Sequence, residues 1–240
     1  MNEIRNIAYT TARSDVFEMV PAAAMSILDV GCSNGALGAS LRHALPNRQI
    51  FGVERDAEFV AQAEGQLDRV IHADINEFAW GDVFPEAMFD CVIFSDVLEH
   101  LIDPQKHLIE AQKCLLPGGS IVISLPNIRH ISALYSIFLC GTFPRRDRGI
   151  FDRTHLHWFT RRDAHILLAA IGMQVEAATY TLRVGDKGGG LLNKVVGRLL
   201  GPIKEFAPVR EFLSYQFCLR AINVQDAPVR PLDVPNTQFP

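Results

Sequence analysis

Residues 27–38 read ILDVGCSNGALG. The apolar run of Ile27, Leu28 and Val30 stops at Gly31, and Gly35 and Gly38 follow. Such a pattern describes a buried strand that turns sharply through a glycine loop into a helix, a common place to hold a nucleotide. Three details narrow the ligand. Asp29 stands near the strand's end, Ser33 occupies a position where glycine is commoner, and no GK[ST] ending follows. A pyrophosphate would be repelled by Asp29, and a phosphate-binding loop would need the lysine. The loop calls for a ligand that wants glycines and an acid but no cation.

Outward from this stretch, strand-like runs at 26–30, 49–54, 69–73, 89–95 and 119–125 alternate with amphipathic stretches near 36–45, 56–66 and 104–115. That alternation predicts βαβ units and a parallel sheet with helices on both faces. LLPGG at 115–119 reads as a helix stop followed by a turn into the fifth strand. After Leu125 the rhythm changes to an insertion with a short apolar helix and a basic loop. A helix near 160–171, a strand at 173–180, a GDKGGG break, an amphipathic helix over 190–206 and the long strand SYQFCLRAIN complete the chain. We read one domain over 1–224, with lid elements at 126–160 and 185–213, and a disordered, proline-rich tail over 225–240.

The 240 residues are 48% hydrophobic and 21% charged, enough for one sizeable α/β core. A net charge of −4 lacks the basic excess of a nucleic-acid binder, so no nucleic acid is expected as a partner. The cysteines, Cys32, Cys91, Cys114, Cys140 and Cys218, form no CxxC pair and suggest reduced thiols in the cytoplasm. Asn2, Glu3, Arg5 and Asn6 precede any apolar stretch, which argues against a secretory signal. ISALYSIFLCG at 131–141 is shorter than the roughly 20 residues a bilayer span needs, so a soluble chain is expected.

Acids choose the ligand. Asp29, Glu54 and Asp74 fall at the ends of the first three strands. An ammonium, a ribose diol and an adenine amino group would meet these acceptors in order, with Glu54 placed like the ribose-binding acid of dinucleotide folds. S-adenosyl-L-methionine (SAM) carries all three groups. The pieces LDVGCSNG, FGVERD, HADINEF, FDCVIFSDVLEHLIDP and LLPGGSIVISLPN, in this order over residues 26–127, resemble the class I SAM-dependent methyltransferases. The resemblance implies a Rossmann-like seven-stranded sheet of order 3-2-1-4-5-7-6 with the last strand antiparallel. It places Gly31, Cys32, Ser33 and Gly35 around the methionine part, and Glu54 with Arg55 at the ribose. Asp74 and Ile75 fall at the adenine, and Ser95 and Asp96 form the cofactor floor.

Methyl transfer from a sulfonium is an in-line displacement, and a hydroxyl acceptor needs a base. No Asn/Asp-Pro-Pro-aromatic signature of amino methylases is present; the fourth strand ends in SDVLEH. The stretch RGIFDRTHLHWFT offers His155 as general base, oriented by Asp152, with His157 as a second candidate and Trp158 or Phe159 as a pocket wall. Equally, His155 could tie the loop to the sheet. This stretch resembles the D-x-T-H-x-x-x-[FY]-T segment of a methyltransferase branch common in bacterial polysaccharide and lipopolysaccharide pathways. AYTTARSDVFEMVP and FLSYQFCLRA resemble the same branch, which implies a sugar hydroxyl as acceptor. Arg145, Arg146, Arg148, Arg153, Arg161 and Arg162 crowd the insertion and suit an anionic acceptor, such as a nucleotide- or lipid-linked sugar. Asn127, Arg145, Arg146, Arg153 and Trp158 are the expected acceptor-binding side chains.

Two other functions stay open. Asp96, Glu99 and His100 resemble the E-x-x-E-H cluster by which ubiquinone-type and small-RNA methyltransferases bind a divalent cation. His155 or His157 would complete it, for a phenolic or quinone-like acceptor. A non-catalytic SAM-binding module is the third reading. The 190–206 helix, apolar on one face with Lys194, Arg198 and Lys204 elsewhere, reads as a lid or a homodimer face before an anionic membrane contact.

Overall fold

The computed structural model describes residues 13–183 and 206–224, with positions 195, 198 and 199 between them. Most of the expected 190–206 helix and the whole 225–240 tail lie outside the described residues. Seven strands form one sheet: β1 (Ser26–Val30), β2 (Gln49–Glu54), β3 (Arg69–His72), β4 (Phe89–Ser95), β5 (Leu115–Pro126), β6 (Met173–Leu182) and β7 (Ser214–Asn223). Their order is β3-β2-β1-β4-β5-β7-β6, as expected, and β7 runs antiparallel to both β5 and β6. Because β1 lies between β2 and β4, successive crossovers leave it in opposite directions. A cleft therefore opens beyond the carboxyl ends of β1 and β4.

The alternation of apolar runs and helices follows from burial on both faces. Ile27 and Leu28 of β1 and Val92, Ile93 and Phe94 of β4 are fully buried. One face carries an aromatic cluster of Phe78, Trp80, Phe84, Phe89 and Phe94, with edge-to-face pairs such as Phe84–Phe89 at 5.1 Å. Side chains cap several helix starts. Asp56 accepts from Glu58 N and Phe59 N, and Thr160 with Asp163 forms a capping box before Arg161–Ala170. Buried Arg48 is tolerated because its guanidinium donates to the carbonyls of Pro21, Ala22, Ala24 and Leu41.

LLPGG is not a turn ahead of the fifth strand. The helix stop holds, since Pro104–Lys113 ends just before it, but β5 already begins at Leu115. Phe89 pairs with Leu115 while Cys91 pairs with Ser120, so the glycines form an irregularity inside the ladder.

Gly52, in the middle of β2, ties the sheet to the loop above it. A Cβ there would lie 2.5 Å from Cys32 Sγ and 2.8 Å from Leu67 Cδ1. Alanine normally helps a strand over glycine, yet here it collides from two sides. Gly52→Ala is expected to lower stability by about 1–3 kcal/mol, the usual cost of overpacking, read as a fall in the urea midpoint at constant m.

Candidate active site

Gly31 turns the chain off β1 at φ +73°, and a Cβ there would meet Val97 Cγ2 at 2.5 Å. Its N–H and that of Cys32 both donate to Val53 O, at 2.8 and 3.2 Å, which folds the loop over the end of β2. Ser33 occupies the left-handed region at φ +49°, so its departure from glycine carries backbone strain as well as a smaller pocket. Gly35, at φ +83°, starts the Ala36–Ala44 helix; its closest neighbour is Ala63 Cα, 3.2 Å from a built Cβ. Helix-to-helix packing is thus one reason for glycine at this position.

Glu54 organises the loop. Oε2 accepts from Ser33 N at 2.9 Å, and Oε1 accepts from Arg55 N and Asp56 N at 2.8 and 2.9 Å. Arg55 itself is exposed, and its carbonyl faces His72 Nε2 at 3.0 Å. Asp74 is exposed and caps the Ile75–Glu77 turn through Asn76 N, with Ile75 buried behind it. Asp29 is different. Its carboxylate is buried, Oδ1 has no hydrogen-bond partner among the described residues, and burial with the Glu54 charge nearby pushes its pKa up to about 7. Such an orphaned buried oxygen is free to accept from a cationic group of a ligand.

A pH dependence follows. With ionised Asp29 as the acceptor for the ammonium, SAM affinity is expected to rise about tenfold between pH 6 and pH 8 and then level off. Stability of the free protein moves the other way, because the native state keeps a proton that the unfolded chain loses from about pH 4 upward. Calorimetry across this range should show the rise in wild type and a flat profile in Asp29→Asn. A rise unchanged in Asp29→Asn would remove Asp29 from the ammonium site.

At the end of β4, Asp96 adopts φ +58° beside Ser95. Its carboxylate is taken by Arg13 and by Gln216 Nε2, with Ser124 Oγ at 3.4 Å. Arg13 also donates to both oxygens of Asp15 and to Ser124 Oγ at 2.9 Å. Asp96 is therefore held in a network with Arg13, Gln216 and Ser124 and is not among the three donors of the carboxylate–imidazole cluster in which the sequence placed it.

That cluster consists of Glu99, His100 and His155, whose donor atoms all lie within 4.8 Å of one another. Glu99 is buried, both its carboxylate oxygens have no hydrogen-bond partner among the described residues, and burial followed by the Asp96 charge drives its pKa well up. His155 Nε2 lies 4.0 Å from Glu99 Oε1, while its Nδ1 faces Ile150 O at 3.2 Å. His100 turns Nδ1 to Thr154, with the carbonyl at 3.2 Å and Oγ1 at 3.1 Å. The two rings meet edge to face at 4.7 Å. With each Nδ1 facing a carbonyl, the N–H belongs there, and each Nε2 is left as an acceptor. Burial lowers the pKa of both imidazoles, which favours the neutral form.

The structure gives several of the expected side chains partners other than those anticipated. Asp152 does not orient the His155 ring; its Oδ1 accepts from Thr154 N and Thr154 Oγ1, at 2.9 and 2.6 Å, and so braces His100 instead. His157 Nε2 faces Ile102 O at 3.4 Å. Trp158 donates to Ile150 O and packs on Phe143 within a small core under the insertion. Asn127 is buried, and its amide donates to Glu211 O and Ser214 O while its oxygen accepts from Arg129 N. Arg145 donates to Arg153 O, Arg146 stacks on Phe151, Arg153 pairs with Asp147, and Arg161 pairs with Glu211. These contacts build the insertion, which explains much of the arginine enrichment there. Arg13 and Gln216 were missed, because nothing in their neighbourhood patterns them toward β4.

Residues 28–123 match the family described as Methyltransferase domain. The trans-aconitate 2-methyltransferase of an Azoarcus species is 30% identical over 218 residues, covering 86% of this chain and 81% of that one. An uncharacterized methyltransferase of Schizosaccharomyces pombe is 34% identical over 104 residues, covering 40% of this chain and 37% of its own. The chain spans 30% and 64% of the length of two further curated relatives, from Streptomyces fradiae and Mycobacterium bovis. Among solved structures, the plantazolicin methyltransferase in complex with SAH has a TM-score of 0.60 at 17% identity, covering 92% of this chain and 86% of that chain. The magnesium protoporphyrin IX methyltransferase of Synechocystis with bound SAH has a TM-score of 0.58 at 14% identity, covering 88% and 80%. At those identities the likeness establishes the fold. Among the described residues no helix is long and apolar enough to cross a membrane.

Proposed function

The chain belongs to the class I SAM-dependent methyltransferases, and from that premise we propose that it methylates a hydroxyl of a sugar or glycan precursor, carried on a nucleotide or lipid phosphate. One observation carries the reading: just past β4, a buried Glu99 carboxyl with no hydrogen-bond partner among the described residues faces the Nε2 acceptor of His155. A carboxyl whose pKa is pushed up is a strong base once ionised, and the neutral imidazole facing it can take up a proton as well. A hydroxyl attacking the sulfonium methyl releases one. Asp152 and Thr154, which give the insertion its D-x-T-H signature, support the pair through His100. The exposed Arg145 and Arg148 supply positive charge for a phosphate. Transfer of label from methyl-tritiated SAM to nucleotide sugars and lipid-linked sugars, against phenols and carboxylic acids, tests the acceptor. Label confined to phenols or carboxylic acids would overturn it.

A metal-assisted reaction on a phenolic acceptor is the second reading, and one feature favours it. Both imidazoles anchor Nδ1 on a carbonyl, the support that metal-binding histidines usually have. Glu99, His100 and His155 would hold the ion, which would polarise the acceptor oxygen. Two imidazoles and one carboxylate suit Zn²⁺, Fe²⁺ or Mn²⁺ better than Mg²⁺.

A further inference from the structure

We propose that the face formed by residues 131–148 docks on anionic membranes. The helix Ile131–Leu134 continues through the wider turn Tyr135–Leu139. Its inner side packs Ala133 and Ser136 against the insertion core, and its outer side presents large apolar groups to solvent. Phe138 is 75% exposed and Leu139 77%, and Ile131, Tyr135 and Phe143 are exposed beside them. Clusters of this size on a surface mark a contact rather than chance. Between the helix and the following loop runs an open groove of about 550 Å³, lined by Ile131, Tyr135, Cys140, Pro144 and Arg146 among others.

The charge beside this face selects the partner. Arg145, Arg146 and Arg148 follow within the next few positions, with Asp147 the acid among them, in a chain whose net charge is −4. Aliphatic and phenyl groups would enter the acyl boundary, Tyr135 would sit at its edge, and the arginines would meet lipid phosphates. A second copy fits less well. Two-fold symmetry would bring the same arginine loop against itself. The helix follows the carboxyl end of β5 within a few residues, so docking holds the cleft's edge of the sheet at the bilayer. This contact does not depend on the acceptor's identity.

Co-sedimentation of the full chain with vesicles tests it, using phosphatidylcholine alone and phosphatidylcholine mixed with phosphatidylglycerol. Binding is expected to the mixed vesicles and to weaken with added salt. Phe138→Glu with Leu139→Glu should abolish it, and Arg145→Gln or Arg148→Gln should each weaken it roughly fivefold. Unchanged SAM affinity in these variants shows that they are folded. No partition onto either vesicle would overturn the proposal. A concentration-dependent dimer seen by light scattering and lost in Phe138→Glu would overturn it too, assigning the face to a second copy. The vesicles carry no acceptor, so this failure is separate from any failure of the sugar-hydroxyl reading.

Discussion

Turnover in Glu99→Ala and in His155→Ala should fall about 10²–10⁴-fold, the range for loss of a general base, with SAM affinity unchanged. The prediction rests on where the two groups point. Among the described residues neither Glu99 oxygen has a hydrogen-bond partner, and His155 is anchored through Nδ1 so that Nε2 faces the carboxylate. A residue kept for stability would behave otherwise. Burying an unpaired carboxyl is costly, so Glu99→Leu should raise the melting temperature while losing activity, a trade made at functional sites. A Glu99→Leu protein that is both less stable and inactive would instead mark Glu99 as structural. His157→Ala is expected to leave turnover close to wild type. EDTA separates the two chemistries. Insensitive activity supports the proton-accepting pair, whereas loss on chelation and recovery with Zn²⁺ or Mn²⁺ supports the metal.

How much of this was legible in the sequence depends on the kind of interaction. Local patterns were readable: the strand-to-glycine turn at 27–35 and the acids near the ends of β1 and β2 each report their own backbone. The sheet order came with the resemblance, because pairing between β5 and β7 joins residues about 100 apart and no spacing rule gives it. At the site, sequence neighbours were misleading. Asp152 lies three residues before His155 but braces Thr154, and through it His100, which arrives from the end of β4. Arg13 reaches Asp96 across 83 positions. The arginines of the insertion looked like a ligand site, yet several spend their donors on carbonyls and carboxylates that hold the insertion together. Composition shows that charge is present; only geometry shows what it touches.

The second large effect is expected at Glu54. SAM affinity in Glu54→Ala should drop by about 3–4 kcal/mol, roughly 10²–10³-fold, since hydrogen bonds to a charged group contribute about 1.5–3 kcal/mol each and the ribose offers two hydroxyls. In the free protein the same carboxylate accepts from Ser33 N, Arg55 N and Asp56 N, so the loop is built around it. Part of the loss is therefore disorder of the loop, and Glu54→Gln separates the parts. Glutamine keeps one acceptor oxygen for the loop but turns the other into a donor, so it should lose less affinity than alanine. Asp74 gives the contrast. It is exposed and caps its own turn, so Asp74→Ala should weaken binding far less than Glu54→Ala. Calorimetry with both SAM and S-adenosylhomocysteine decides the assignment, because the two share the ribose and differ at sulfur. Equal losses for both ligands place Glu54 at the ribose; a loss confined to SAM would move it to the sulfonium, and unchanged affinity for both would remove it from the site.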